Sequence, residues 1–122
     1  MARVVHFEIH ADDPERASDF YRQVFGWQIQ KWDGPAEYWL ASTGPDDQPG
    51  INGGILRRND PAGSVYNTIQ VENVDDAAAK VVAHGGTIVV PKMPIPGLGY
   101  LVYFKDTEGN VSGIMHPDPS AR

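Results

Sequence analysis

The chain has 122 residues, of which 41% are hydrophobic, enough for one domain with a real core. Ten basic and sixteen acidic residues give a net charge of −6, which argues against nucleic acid and anionic membranes as partners. The sequence contains no cysteine, so disulfides and thiolate metal sites are excluded. No apolar run is long enough to span a membrane, and charge interrupts the N-terminal stretch, so neither a membrane span nor a signal peptide is expected and we predict a cytoplasmic protein.

Near the N-terminus, the stretch VVHFEIHADD (4–13) alternates apolar and polar side chains, which predicts a strand with two different faces. The apolar face, expected to pack on helices, has Val5, Phe7 and Ile9, and the polar face has His6, Glu8 and His10. We expect His6 and Glu8 to pair, because residues two apart on one strand face are neighbours. His10, at the end of the strand, is expected to be an exposed bystander.

A helix is predicted next, with Asp12 or Asp13 as its cap, Pro14 in its first turn and Gly26 as its stop. Its apolar residues recur at helical spacing and must pack against something. They are Ala17, Phe20, Tyr21, Val24 and Phe25. Three short strands separated by turns then follow, at 27–32, 37–43 and 51–57.

The second half of the chain shows the same order of signals. A strand, a helix and three strands are predicted at 65–73, 74–86, 87–92, 99–106 and 110–116. Gly85 or Gly86 ends the helix. The segment 91–99, rich in proline and glycine, is either a lid over a pocket or a rigid connection between strands, and the tail 118–122 is expected to be frayed.

The two halves align when the sequence is shifted by about 60 residues. His6 then falls on Tyr66, Gly26 on Gly86 and Gly53 on Gly113. We therefore predict one domain over 1–122 with an α+β fold, made of two tandem βαβββ modules at about 1–60 and 61–117. Together the modules are expected to form a curved, eight-stranded mixed sheet, a cup with the helices on its outer face.

The motif H-x-E-I-x-A-D-D-P-E-R-A-x-x-F-Y-x-x-V-F-G-W at 6–27 resembles the start of vicinal oxygen chelate proteins. That superfamily includes glyoxalase I, extradiol dioxygenases and the bleomycin and fosfomycin resistance proteins. The stretches VENVDDAAAKVVAHGG (71–86) and FKDTEGN (104–110) resemble the helix and a turn of its second module. The resemblance implies a small glyoxalase-like protein that binds a small molecule and forms a homodimer.

Metalloenzymes of this family place His, Gln or Glu ligands at positions that fall on His6, Gly53, Tyr66 and Gly113. Glycine has no side chain to coordinate with, and tyrosine is an uncommon ligand because its pKa is about 10. A conventional site needs three or more protein ligands. We therefore expect no cofactor and disfavour a divalent metal, for which His6 would be the ligand if one were present.

The residues expected to bind the ligand lie on inward-facing strand positions or at glycines inside strands. They are His6, Glu8, Trp39, Gly53, Tyr66, Thr68, Tyr103 and Gly113. His6 and Glu8 are also the candidates for catalysis.

Several functions stay open at this point. The first is a protein that binds a small organic molecule in the cup between its modules, without a conventional metal. The second is a divalent-metal-dependent lyase, isomerase or dioxygenase of the glyoxalase I type. A third is a metal-free enzyme in which His6 and Glu8 move a proton next to a carbonyl group, and a fourth is an interaction module with a vestigial cup. The sequence does not decide whether the protein is an enzyme.

Overall fold

In the computed structural model, which describes residues 2–122, the βαβββ order occurs twice. These residues contain two helices and eight strands, with both parallel and antiparallel strand pairs. The predicted α+β class and the tandem βαβββ repeat are therefore confirmed. The chain divides into two units, one comprising His6–Tyr66 and the other built mainly from Asn67–Arg122. We call them module one and module two.

Module one joins a helix to four strands. Its elements are β1 (Arg3–Ala11), α1 (Pro14–Phe25), β2 (Gln28–Lys31), β3 (Trp39–Ser42) and β4 (Asn52–Arg57). The strands are hydrogen-bonded in the order β2-β3-β4-β1. The pair β1–β4 is parallel, whereas β2–β3 and β3–β4 are antiparallel.

Module two repeats this arrangement. Its elements are β5 (Val65–Gln70), α2 (Val74–Ala83), β6 (Thr87–Ile95), β7 (Gly99–Lys105) and β8 (Val111–Pro117). The first two residues of β5, Val65 and Tyr66, lie in module one. Its strand order is β5-β8-β7-β6, with β5–β8 parallel and the other two pairs antiparallel. Neither α1 nor α2 is long and apolar enough to cross a membrane.

Both helices begin and end where the sequence indicates. The Asp13 side chain accepts a hydrogen bond from the backbone N–H of Arg16, and Asn73 caps α2 in the same way. At the other end of α1, Gly26 adopts a left-handed conformation with φ +73°, and Gly85 does so just after α2 with φ +95°. Each predicted stop is therefore a glycine, which adopts the left-handed conformation that ends a helix at little steric cost.

Each module has a core between its helix and one face of its strands. In module one the buried apolar residues are Ala11, Ile29, Trp39, Ala41 and Ile55. In module two they are Val74, Val102 and Ile114. Pro14 and Val74, which open the two helices, are both fully buried, so the first turn of each helix anchors it to its sheet.

The apolar stripe predicted on α1 packs only in part. Ala17 and Tyr21 contact the core of module one. Phe20, Val24 and Phe25 remain 56%, 54% and 61% exposed. The helix meets the sheet through its Pro14 and Ala17 side, and the other three apolar side chains point away from that contact.

The segment 91–99 forms a β-hairpin and is not a lid. Strand β6 continues to Ile95 and β7 starts at Gly99, and the two strands are paired as far as Ile95 and Gly99. Because β6 is the last strand in the order of module two, its prolines cost few ladder hydrogen bonds. The rigid strand connection, one of the two alternatives for this segment, is therefore confirmed.

The predicted frayed tail at 118–122 is wrong. The N–H of Asp118 donates to the carbonyl of Leu98 at 2.9 Å, and the N–H of Gly97 donates to the carbonyl of Ala121 at 3.0 Å. Ala121 is buried. The tail is thus tied by backbone hydrogen bonds to the turn that joins β6 and β7.

Candidate functional site

The strand pairing of module one decides which residues share a face. Residues paired directly across neighbouring strands point to the same side of the sheet. Glu8 pairs with Gly54, and Gly54 also pairs with Leu40. We call this side, which lies away from α1, the polar face. Its residues include His6, Glu8, His10, Gln30, Leu40, Asn52, Gly54 and Leu56.

The structure corrects the expected orientation of Trp39 and Gly53, because both face α1. Trp39 is 3% exposed, packs in the core and donates from Nε1 to Oε1 of Glu15 at 2.7 Å. Gly53 pairs with Phe7, and a Cβ at Gly53 would overlap the Phe7 ring and carbonyl oxygen. These two residues therefore serve the packing of module one and do not line its polar face.

The two modules do not align with one constant offset, which explains why the sequence comparison placed Gly53 on the wrong face. Glu8 pairs with Gly54 in module one, and Thr68 pairs with Gly113 in module two. Thr68 stands 60 positions after Glu8, but Gly113 stands only 59 positions after Gly54. A shift of one residue turns a strand position to the opposite face, so the ungapped shift of 60 selected the wrong glycine.

On the polar face, His6, Tyr38 and Glu8 form a chain of hydrogen bonds. His6 Nε2 lies 2.6 Å from the hydroxyl oxygen of Tyr38, and the same hydroxyl hydrogen-bonds Glu8. The hydrogen bond to Glu8 raises the pKa of Tyr38, so the phenol is its donor. A phenol has one proton, so the same hydroxyl accepts from the Nε2–H tautomer of His6. The sequence predicted a His6–Glu8 pair, but Tyr38, which sequence reasoning missed, lies between the two.

Burial influences the protonation states of these hydrogen-bonded side chains. It raises the pKa of Tyr38 far above its usual range, and the negative charge of Glu8 and its hydrogen bond raise it further. Burial also lowers the pKa of His6. Glu8 is only 7% exposed. At neutral pH the site therefore holds a protonated phenol and a neutral imidazole beside a buried carboxyl group.

Gly54 makes room for the Tyr38 ring. A Cβ at Gly54 would overlap the ring carbons and hydroxyl of Tyr38, so the ring lies directly over the backbone of β4. Glycine inside a strand commonly marks such a close approach. The adjacent glycines in INGGILR were the sequence signal for this contact, and it belongs to the second glycine of the pair.

His10 and Tyr66 lie together on the same side of module one. Their ring centroids are 4.2 Å apart. Burial lowers the pKa of His10, and the positive charge of Arg58 lowers it further. His10 is half-buried, so the expectation that it is an exposed bystander is wrong.

In module two, the predicted residues point away from α2 as expected. Thr68 and Tyr103 both pair with Gly113, and Thr68 is buried. A Cβ at Gly113 would lie 3.3 to 3.6 Å from side-chain atoms of Leu101, Tyr103 and Thr68, which is a tight fit. The structure therefore groups three predicted residues on one face, and their role in ligand binding stays a prediction.

A surface depression elsewhere in module one has no comparable chemistry. It is open, encloses about 380 Å³ and is lined by Gly26, Gln28 and residues 42–46. Asp46 is the one ionisable residue in this lining. The polar face, with its linked titratable groups, is the better candidate site.

The residues present do not fit the divalent metal that the resemblance implies. Within residues 2–122, no three His, Cys, Asp or Glu side chains come close enough to hold an ion together. The Nε2 atom of His6 is engaged by Tyr38, and the strand positions opposite Glu8 and Thr68 are glycines. The described part of the chain therefore offers no set of three protein ligands of the kind such sites use.

We expect the free energy of unfolding to fall as the pH is lowered from about 7.5 to about 5.5. The pKa values of His6 and His10 in the folded chain lie below the ordinary 6.5, so the unfolded chain takes up protons first. Stability is thus lost as the pH falls through 6.5 towards the folded-state values. Urea unfolding measures this free energy across the pH range. Its pH dependence should be weaker in a His6→Gln, His10→Gln double variant, whereas replacing the exposed His84 with glutamine should leave it unchanged.

Comparison with known proteins gives a family and a set of structural neighbours. The sequence profile of the Glyoxalase/Bleomycin resistance protein/Dioxygenase superfamily matches residues 3–112. No curated protein matches the chain in sequence.

Solved structures with the same fold are distant in sequence. A hypothetical protein from Bacillus halodurans C-125 is 11% identical, with a TM-score of 0.72 over 99% of this chain and 98% of that one. Methylmalonyl-CoA epimerase from Mycobacterium tuberculosis is 12% identical, with a TM-score of 0.70 over 95% and 88%. A Streptomyces coelicolor methylmalonyl-CoA epimerase variant in complex with 2-nitronate-propionyl-CoA is 14% identical, with a TM-score of 0.68 over 98% and 97%. At these identities the likeness concerns the fold alone.

Proposed function

This chain belongs to the Glyoxalase/Bleomycin resistance protein/Dioxygenase superfamily, and from that premise we propose that it binds a small organic molecule on the polar face of module one, without a conventional metal site. The observation that carries the proposal is the chain His6–Tyr38–Glu8. Burying a carboxyl group costs free energy unless it is hydrogen-bonded. The core of module one lies on the other face of the sheet, and its packing does not include His6, Tyr38 or Glu8.

The net charge of the chain supports a small ligand with little negative charge. The Streptomyces coelicolor neighbour was solved with 2-nitronate-propionyl-CoA, whose CoA phosphates carry negative charge. The present chain has a net charge of −6. A polyanionic ligand would be repelled by such a chain, which favours a smaller neutral molecule.

Replacing Tyr38 with phenylalanine is expected to weaken ligand binding about fivefold, the loss of one net hydrogen bond. The ring stays over Gly54, but the link between His6 and Glu8 is removed. Ligands are found by thermal-shift screening of a library of ketones, amides, esters and alcohols. Their affinities are then measured by ¹⁵N NMR titration. Tyr21→Phe, which removes a hydroxyl on the side of α1, is the matched control and is expected to bind normally.

Two results would contradict the proposal. One is a library in which no compound shifts the amide resonances of the polar face. The other is purified protein that carries stoichiometric, tightly bound nickel, zinc, iron or manganese by elemental analysis. The second result would favour the divalent-metal-dependent alternative.

The same hydrogen-bonded chain favours a second candidate, a metal-free enzyme that moves a proton next to a carbonyl group. Glu8 would accept the proton from carbon, and Tyr38, which stays protonated, would hold a hydrogen bond to the carboxyl group. NMR titrations in D₂O report this activity directly, as loss of the ligand's α-proton signal. That Thr68, Tyr103 and Gly113 contribute to binding, and that the chain is a cytoplasmic homodimer, stay predictions.

A further inference from the structure

His10 carries a buried polar atom that the hydrogen-bonded chain does not use. Within residues 2–122, its buried Nε2 atom has no hydrogen-bond partner. A buried polar atom left unpaired costs about 1–3 kcal/mol. Pairing with a ligand would offset that cost.

The surroundings of His10 hold the imidazole in place. Its backbone N–H donates to the carbonyl of Ser64 at 2.7 Å, and its ring packs against Tyr66. The Nδ1 edge of the ring faces Gly63. The unpaired Nε2 atom is therefore fixed in direction.

Charge around His10 favours the neutral imidazole. Arg58 hydrogen-bonds Asp12 at 3.0 Å and also donates to the carbonyl of Gly63, so its guanidinium is anchored nearby. This charge opposes protonation of His10. A neutral imidazole offers one ring N–H and one lone pair.

We propose that the Nε2–H of His10 donates a hydrogen bond to the carbonyl oxygen of the ligand, and that the ligand is a neutral carbonyl compound. The inference rests on the proposed function of the polar face. Glu8 lies two residues from His10 on the same strand face, roughly 7 Å away at about 3.3 Å per residue. The positive charge of Arg58 is already paired with Asp12, so the carboxyl group of Glu8 would disfavour a carboxylate ligand at that distance, whereas a ketone or amide carries an acceptor without a charge.

The test uses acetophenone and benzoate, which share one aromatic ring and differ in charge. In ¹⁵N NMR of the histidine side chains, acetophenone is expected to shift the Nε2 resonance of His10, and benzoate is expected to leave it in place. His10→Phe keeps the ring against Tyr66 but removes the N–H. It should weaken acetophenone binding about fivefold, while its Tm stays equal or rises because the unpaired atom is gone. Exposed His84→Phe is the control and should bind acetophenone normally.

The proposal is overturned if benzoate binds the polar face as well as acetophenone, or if acetophenone fails to shift His10 Nε2. If the His10→Phe variant does not fold, the titration of the unmodified protein decides alone. Library compounds that bind in a Tyr38-dependent way without touching His10 would overturn this inference and leave the proposed function standing. The absence of any binding compound would overturn both.

Discussion

Replacing Trp39 with alanine is expected to lower the free energy of unfolding by about 3–5 kcal/mol, the usual cost of removing a large buried aromatic side chain. Trp39 is 3% exposed and packs with Ile29, Ala41 and Ile55 in the core of module one. The variant also removes the N–H that donates to Glu15 on α1, so a link between helix and sheet is lost. Urea unfolding followed by circular dichroism measures the difference.

The adjacent residue supplies the control for this prediction. Leu40 lies on the same strand but on the polar face, and it is 46% exposed. Leu40→Ala is expected to cost less than about 1 kcal/mol, since little of its apolar surface is buried. Equal costs for the two variants would mean that the face assignment of β3 is wrong and that Trp39 points to the polar face, as the sequence suggested.

The order of elements follows from local signals in the sequence. Asp13, Pro14 and Gly26 bound α1 by capping and backbone conformation, and Asn73 and Gly85 do the same for α2. Such signals act through the residue itself or its nearest neighbours in the chain. They can therefore be read from a single sequence, and the duplicated βαβββ order follows from them.

The composition of the candidate site was harder to predict because it depends on the choice of face. In EYWLAST, three large residues stand in succession, Tyr38, Trp39 and Leu40, so alternation gives no contrast between a polar and an apolar side. Assigning Trp39 to the polar face moved Tyr38 to the other side. That one wrong assignment excluded Tyr38, the residue that joins His6 to Glu8, from the predicted site.

Long-range contacts were the other source of error. The environment of His10 is made by Tyr66 and by Arg58, which are more than forty residues away in sequence. Its position at the end of β1 gave no sign of either contact. Burial of a strand-end residue by a distant segment is a tertiary effect, so it appears only once the chain is folded.

Replacing Gly54 with alanine is expected to dismantle the candidate site and to lower the free energy of unfolding by about 1–3 kcal/mol, the usual cost of overpacking. The new Cβ would overlap the Tyr38 ring, which must then move off β4. That movement breaks the hydrogen bond between Tyr38 and His6. Urea unfolding measures the stability, and the side-chain ¹⁵N resonances of His6 report the lost bond.

A double-mutant cycle with Tyr38→Ala separates this clash from any other effect of the new methyl group. Once the ring is absent, Gly54→Ala meets no obstacle from Tyr38 and should be close to neutral. It could even stabilise the fold by about 0.4–1 kcal/mol, because alanine restricts the unfolded chain and the φ of Gly54 is not positive. Gly44→Ala, whose Cβ would meet nothing within 4 Å, is the matched control and should change stability by less than about 0.5 kcal/mol. If Gly54→Ala costs the same with and without the Tyr38 ring, the ring does not lie over Gly54, and the link that Tyr38 provides between His6 and Glu8 loses its structural basis.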